Sequence, residues 1–343
     1  MAHLAVRLRR FTVFGSDFVF ELGGGKGSAA ILFGVPGSGK SHLLGLVAAP
    51  LLAVEQMLEV GMEPSRALET VLTHLFPRYR SLIRGDTSVS VELDIDGYEI
   101  RFTIDRSAIP RMDIPFKGLR RYMQKQPPPF IYLDEYRVHR FRQLIRDGAA
   151  PRENPVSNHL YRWVEYVAKL QRESHPLAGV FDTCSYDMLS TIGFSSARPI
   201  DLAERLTEFN TSLIHESYTV LNLATLSMAC LALCLDKPHL VIIDMPEHGL
   251  LPGTLRGVAL AITRCLAQGK REKLLLIATH SPLLAALIIR RAGEWGAIDA
   301  VKVYEMYLEM KEGARYAKIR SLETGKAPRY LLAALQEIAK EVA

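Results

Sequence analysis

The sequence predicts a mixed α/β fold in which a sheet is flanked by helices and the chain is interrupted by an α+β insertion. Three observations predict it. A glycine-rich octapeptide, Gly34 to Ser41, lies between a short apolar run and a long apolar stretch. Strand-like and helix-like patterns alternate again from Ser217 to Ala278. Between about 60 and 210 the chain changes character, to polar helices and alternating strands. Alternating β and α segments argue for helices packed on a largely parallel sheet, and 343 residues leave room for one large domain with an insertion, or for two domains.

Taken in order, Leu4, Val6 and Leu8 alternate, residues 18–22 repeat the pattern, and a glycine turn follows at 23–27, so the chain opens on strands. Residues 29–33 form an apolar run of buried-strand type that enters the octapeptide directly, and a helix is expected from Leu43. Strands are expected at 88–93 and 99–104, and a proline-rich joint at 127–129. A helix from Ser217 leads to a strand at 240–243, a helix at 254–268 and a strand at 273–278. The end reads as a β-hairpin over 300–322, turning at Glu312 and Gly313, and a helix over 328–342.

Composition excludes several classes. Hydrophobic residues at 48% and charged residues at 23% are ordinary globular values, which argues against a disordered tail, a collagen-like repeat or a disulfide scaffold. Cys184, Cys230, Cys234 and Cys265 lack CxxC spacing. Cys230 and Cys234 stand four apart in an apolar helical stretch, which reads as buried thiols rather than a metal site or a bridge. A reducing, cytoplasmic setting fits. Arginines occupy the first ten residues where a secretory segment needs its apolar core. The uncharged run 217–235 approaches spanning length, but Tyr218, Thr219, Asn222, Thr225 and Ser227 are scattered through it and no basic flank follows. It is read as a buried helix, with no membrane span.

Gly34, Val35, Pro36, Gly37, Ser38, Gly39, Lys40 and Ser41 match GxxxxGK[ST] between a strand and a helix. The glycines let successive backbone N–H groups turn toward a phosphate chain, and the helix start adds its partial positive charge. Lys40 is expected as an exposed ligand of the β and γ phosphates, and the Ser41 hydroxyl as a ligand of Mg²⁺. The apolar strand 240–243 delivers Asp244, a carboxylate for that metal, at its C-terminal edge. A rival is the run 130–133 followed by Asp134 and Glu135; it follows three prolines inside the insertion and ranks second. The run 274–279 ends in His280, which can hydrogen-bond a γ-phosphate oxygen.

The order of these elements resembles the ABC-type P-loop ATPases of the RecF, OLD and SMC-like branch, over residues 1–55 and 210–325. Asp244, Pro246, Glu247, Gly249, Leu250 and Pro252 stand where that family has D-E-P-E-x-G-L-H-P, and His280 lies in its T-H-S-P element. The resemblance implies an ABC-ATPase-like mixed sheet, with residues 1–60 and 210–343 as the ATP-binding domain and 61–209 as an inserted α+β or helical lobe. It implies ATP and Mg²⁺ as cofactors, Asp244, Glu247 and His280 as catalytic candidates, and closure of a homodimer, or of a heterodimer with a related ATPase, over two nucleotides.

The departures matter as much. The family's general base is a glutamate directly after the metal aspartate, and here Met245 stands there; a thioether cannot accept that proton. Glu247 is the alternative base, but a structural role at the turn is favoured, so slow hydrolysis is expected. No L-S-G-G signature is present, and Ser217 in His215-Glu-Ser-Tyr-Thr219 is the nearest segment that could reach a partner's nucleotide.

Charge is the last feature. Segment 111–146 holds nine basic residues against three acidic ones, a local +6 that exceeds the +5 of the whole chain. Phe116, Tyr122, Phe130, Tyr132, Tyr136 and Phe141 are interleaved, as on surfaces that meet nucleic-acid backbones and stack bases; a solvated helix face with its own core aromatics is the favoured reading, and an acidic protein partner is another. The leading expectation is an ABC-type ATPase of DNA maintenance, such as DNA repair, or of defence. The alternatives are a non-hydrolysing ATP-gated scaffold beside an active partner, then a transporter's nucleotide-binding subunit, then a small-molecule kinase.

Overall fold

The computed structural model describes residues 3–11, 13–14, 18–23, 28–77, 79–95, 98–104, 110–113, 123, 128–147, 154–191, 202, 218–235, 240–268, 273–311 and 314–322. Two sheets are built from it. The first is antiparallel in the order β2-β1-β4-β5-β6, with β1 (His3–Phe11), β2 (Phe18–Gly23), β4 (Ile83–Ile95), β5 (Tyr98–Ile104) and β6 (Pro110–Asp113). The second runs β11-β10-β3-β9-β8-β7, with β3 (Ser28–Gly34), β7 (Phe130–Leu133), β8 (Leu240–Asp244), β9 (Leu274–Thr279), β10 (Val301–Lys311) and β11 (Ala314–Leu322). Its strands are parallel except β11, which returns antiparallel along β10.

Strands covered on both faces must be apolar on both faces, and four neighbouring strands, β3, β9, β8 and the edge strand β7, are. Ala29 and Ile31 of β3, Ile131 and Leu133 of β7, Val241 and Ile243 of β8, and Leu275 and Ile277 of β9 enter one core. The alternate residues, among them Leu32, Phe130, Ile242 and Leu276, enter the other. That second core lies between the two sheets and contains α1 (Lys40–Val60) and the buried face of α2 (Pro64–Leu75). A helix that is apolar all round belongs inside. α1 is long and apolar enough to cross a membrane, yet 83% of its apolar window is buried within the protein. A single turn, α3 (Tyr79–Leu82), leads into β4.

The first core is helical: α4 (Arg137–Asp147), α5 (Pro155–Arg172), α6 (Pro176–Ser190), α7 (Tyr218–Cys234), α8 (Pro252–Gln268) and α9 (Pro282–Glu294) contribute to it. The stretch expected as a buried helix is α7, buried continuously from Leu221 to Leu233.

The described residues of segment 61–209 take part in both sheets and in the helical core. They give β4, β5 and β6 to the first sheet, β7 to the second, and α4 to α6 to the helical core. The prolines at 127–129 read as a joint because they donate no backbone N–H, but Pro129 accepts from the Leu240 amide at 3.4 Å as β7 starts. The rival strand therefore lies directly beside β8, pairing Phe130 with Leu240 and Leu133 with Ile243. The expected closing helix over 328–342 lies outside the described residues.

Candidate functional site

The octapeptide leaves β3 where its neighbours crowd it. At Gly34 (φ 154°) a Cβ would stand 1.9 Å from the Met306 carbonyl oxygen of β10, so the position admits only glycine. Gly39 (φ 92°) opens α1, and a Cβ there would meet the Phe14 ring at 2.8 Å. Val35, Pro36 and Gly37 are exposed, whereas Ser38, Gly39 and Lys40 are buried. Lys40, expected at the surface, is 3% exposed. Its Nζ donates to the Gly34 carbonyl at 2.8 Å, the Val35 carbonyl at 2.9 Å and Ser38 Oγ at 3.1 Å. Burial holds its pKa down to about 8, against the attraction of Asp244 and Glu247.

Asp244 ends β8 two strands away from β3, across β9. It is 2% exposed, and burial pushes its carboxyl up to about 7, against a hydrogen bond from the Ser41 side chain that favours the charged form. Its Oδ1 is buried with no hydrogen-bond partner among the described residues. Ser41 and Asp244 line one cleft of about 330 Å³ together with His42, Asp134, Glu135 and Arg140. The rival carboxylates thus share the cleft of the favoured one. Asp134 Oδ2 accepts from Arg140 at 2.9 Å, while its Oδ1 is a second unpartnered buried oxygen.

The turn after Asp244 is held from three sides. Met245 adopts φ 47°, and its amide donates to the Ala278 carbonyl at 2.8 Å. Glu247 Oε1 accepts from the backbone amides of His280 at 2.7 Å and Ser281 at 3.2 Å, which joins the β8 turn to the end of β9. Its Oε2 is buried and unpartnered. His280 Nδ1 lies 2.8 Å from the Gly34 carbonyl, which only accepts, so that nitrogen carries a proton. Gly34, Lys40, Ser41, Asp244, Glu247 and His280 therefore form one connected group.

Two residues of this group escaped sequence reasoning. Arg137, buried at 1% exposure, donates to the Asp134 carbonyl at 3.0 Å, the Asp244 carbonyl at 2.7 Å, the Met245 carbonyl at 2.9 Å and Asn222 Oδ1 at 2.8 Å. Asn222 Nδ2 donates to the carbonyls of Pro246 at 3.3 Å and His248 at 2.9 Å. The signal for Arg137 was its place two residues after an acidic pair at a strand end; the signal for Asn222 was an amide inside an apolar helix.

The described part of the basic segment divides between core and surface. Arg137 is a core residue, Arg140 is paired with Asp134, and Phe130, Tyr132 and Phe141 are buried where they cannot stack on bases. Arg111, Arg146 and Tyr136 are exposed. Lys117, Arg120, Arg121, Lys125, Phe116 and Tyr122 lie outside the described residues, as does Ser217.

No protein-family model matches the sequence, and no curated protein does. Solved structures do. The chain is similar to an Smc head bound to the C-winged helix domain of ScpA, at 13% identity and a TM-score of 0.51, over 94% of this chain and 98% of that one. An Smc head with an extended coiled coil, bound to the C-terminal domain of ScpA derived from Pyrococcus furiosus, aligns at 14% identity and 0.49, over 99% and 100%. The SMC head domain from Thermotoga maritima aligns at 14% and 0.42, over 94% and 100%. The likeness at 0.51 shows the fold: a mixed sheet flanked by helices, as in the ABC-type P-loop ATPase heads of SMC proteins.

Proposed function

We propose that this chain is an ABC-type ATPase that binds MgATP in the cleft between the octapeptide and Asp244 and uses it to engage a partner, with slow hydrolysis. The observation that carries this is Asp244: a carboxylate buried to a pKa of about 7, hydrogen-bonded to the Ser41 hydroxyl and left with an unpartnered Oδ1. A hydroxyl beside a carboxylate is a hard oxygen donor set that suits Mg²⁺. Ser41 and Asp244 would hold the ion, which when bound neutralises charge on phosphate oxygens. The chain's own groups do the rest. The backbone N–H groups of residues 37–40 wrap the phosphates, and Lys40 exchanges its contacts with loop carbonyls for phosphate oxygens. His280, anchored through Nδ1 to Gly34, has Nε2 left to meet the terminal phosphate, to which it donates as an imidazolium with a proton on both ring nitrogens.

Slow turnover follows from the carboxylates. Met245 cannot take a proton, and Glu247 already uses Oε1 on two amides. That commitment also supports the second reading, a non-hydrolysing ATP-gated scaffold whose partner supplies the missing groups. The partner is either a second copy of the chain or a related ATPase. The resemblance to the RecF, OLD and SMC-like branch supports a role in DNA maintenance or defence in the cytoplasm. Direct nucleic-acid contact keeps less support than the sequence offered, now that Arg137 and Arg140 are engaged internally. The missing signature glycines speak against a transporter subunit.

Calorimetric titration of ATP, with and without Mg²⁺, into wild type and Lys40→Ala tests the reading, with particle mass and turnover followed on the same samples. The expected result is Mg²⁺-dependent binding that raises the mass of the wild type and is lost in the variant. Because Lys40 is buried, Ser41→Ala serves as a milder second variant that loses the Mg²⁺ dependence. Equal ATP affinity in all three proteins overturns the proposal.

A further inference from the structure

The chain contains four cysteines, carried by three helices, and the fold brings all four together. Cys184 lies on α6, Cys230 and Cys234 one turn apart on α7, and Cys265 on α8. The sulfurs of Cys184, Cys230 and Cys265 all lie within 4.8 Å of one another, and Cys184 Sγ is 3.6 Å from Cys265 Sγ. The Cys234 thiol hydrogen-bonds to Cys265. Cys184, Cys230 and Cys265 are at most 1% exposed, and Cys234 is half-buried at the edge.

We propose that Cys184, Cys230, Cys234 and Cys265 form a tetrathiolate site for one Zn²⁺ that ties α6, α7 and α8 together behind the central sheet. The geometry is close to what the ion requires. Zn–S bonds of about 2.3 Å place the corners of a tetrahedron about 3.75 Å apart, and the Cys184–Cys265 separation already has that length. Cys234 stands outside the group of three mutually close sulfurs and reaches it through its contact with Cys265. The helices are also in tight register at this point. A Cβ on Gly257 of α8 would come within 2.9 Å of the Asp187 carbonyl oxygen and Met188 Cα of α6, so the backbones approach as closely as glycine allows.

Electrostatics separates this cluster from thiols that merely fill a core. A buried cysteine otherwise behaves as a small hydrophobe, and nothing charged needs to face it. Here the Arg264 guanidinium lies 3.6 Å from Cys184 Sγ and is steered there by Asp187 at 2.5 Å. The Lys273 ammonium acts on Cys234 and donates to the carbonyls of Leu233 and Leu235 at the end of α7. Four thiolates around one Zn²⁺ leave two negative charges, and Arg264 and Lys273 are two cations placed against them, with Asp187 the acidic group that faces Arg264. Arg264 beside Cys184 and Lys273 beside Cys234 are placed to favour an ionised sulfur at both ends of the cluster. The thiolate is the metal-binding form.

The test uses the whole chain, purified under reducing conditions without chelator and analysed for metals by mass spectrometry. About one zinc per chain is expected, as a closed four-ligand site requires. Metal-stripped protein titrated anaerobically with Co²⁺ should saturate at about one equivalent, with the intense sulfur-to-cobalt band of tetrahedral thiolate ligation. That band distinguishes the cluster from Co²⁺ at Asp244, which has no sulfur donor. Cys234→Ser, at the half-buried corner, should lower the zinc content and weaken the band while the protein still folds. A strong chelator should lower the melting temperature of the wild type without the need for any core substitution. Reduced wild type that carries under about 0.1 zinc per chain and gives no thiolate band with Co²⁺ overturns the proposal. So does iron in place of zinc, or a mass showing two of these cysteines joined in a disulfide.

Discussion

β7 and β8 are near twins that lie side by side. Phe-Ile-Tyr-Leu-Asp-Glu and Leu-Val-Ile-Ile-Asp-Met run parallel and in register, both strands are wholly buried, and each delivers an aspartate to the same cleft. Their neighbours assign them different tasks. β7 is the sheet edge, and its Asp134 is balanced by Arg140 at 2.9 Å. β8 is one strand nearer the octapeptide, and its Asp244 meets only a hydroxyl, that of Ser41, with Arg137 spending its donors on the backbone around it. A carboxylate with a guanidinium partner is already compensated; one with a hydroxyl partner and a bare oxygen still wants a cation.

The largest expected effect comes from making the twins alike. Met245→Glu gives β8 the acid pair that β7 has in Asp134 and Glu135, and turnover should rise by about 10²- to 10⁴-fold. An unchanged rate would mean that a base is already present, and Glu135→Gln against Glu247→Gln then decides which strand carries it.

Removing the link between the strands should be next. Arg137→Met leaves the carbonyls of Asp134, Asp244 and Met245 without their buried donor, and at about 1 kcal/mol or more for each the loss should reach about 3 kcal/mol by urea unfolding. A loss below about 1 kcal/mol would show that the two strand ends are held independently.

Asparagine scanning sharpens the contrast further. Asp244→Asn should weaken Mg²⁺-dependent ATP binding about tenfold or more, one carboxylate–metal contact being lost, whereas Asp134→Asn should change it far less. The reverse order would hand the metal to β7.

The last contrast is in pH dependence. Asp244 has its carboxyl raised to about 7 in the folded protein from an ordinary 3.8, so the folded state holds the proton more tightly than the unfolded state. Its contribution is favourable at low pH and is lost as pH rises between those values. In metal-free protein, Asp244→Asn should gain stability relative to wild type at pH 8 and not at pH 4, measured as urea midpoints.

Much of this site was legible because it is local. Gly34 to Ser41 is one contiguous motif, and Asp244 and His280 each end an apolar run that announces a buried parallel strand. What stayed hidden depends on partners far away in sequence. Arg137 reads as one cation among nine until the fold brings it to Asp244, and Asn222 reads as a polar interruption until it meets the β8 turn. Phe130 and Tyr132 counted as surface aromatics because the pairing that buries β7 lies 110 residues downstream. The cysteines show the same limit: their spacing carries no ligand motif, since three helices must pack before four sulfurs converge.

The place of β3 has a consequence for biosynthesis. Both of its sheet neighbours, β9 and β10, come from the last quarter of the described chain, although β3 itself begins at Ser28. While the ribosome is still working toward residue 274, a wholly apolar strand and the octapeptide it launches have no edge to pair with. Such delayed, non-local pairing folds slowly and exposes sticky surface in the interval. Chains interrupted before β9 are therefore expected to be insoluble rather than partly active.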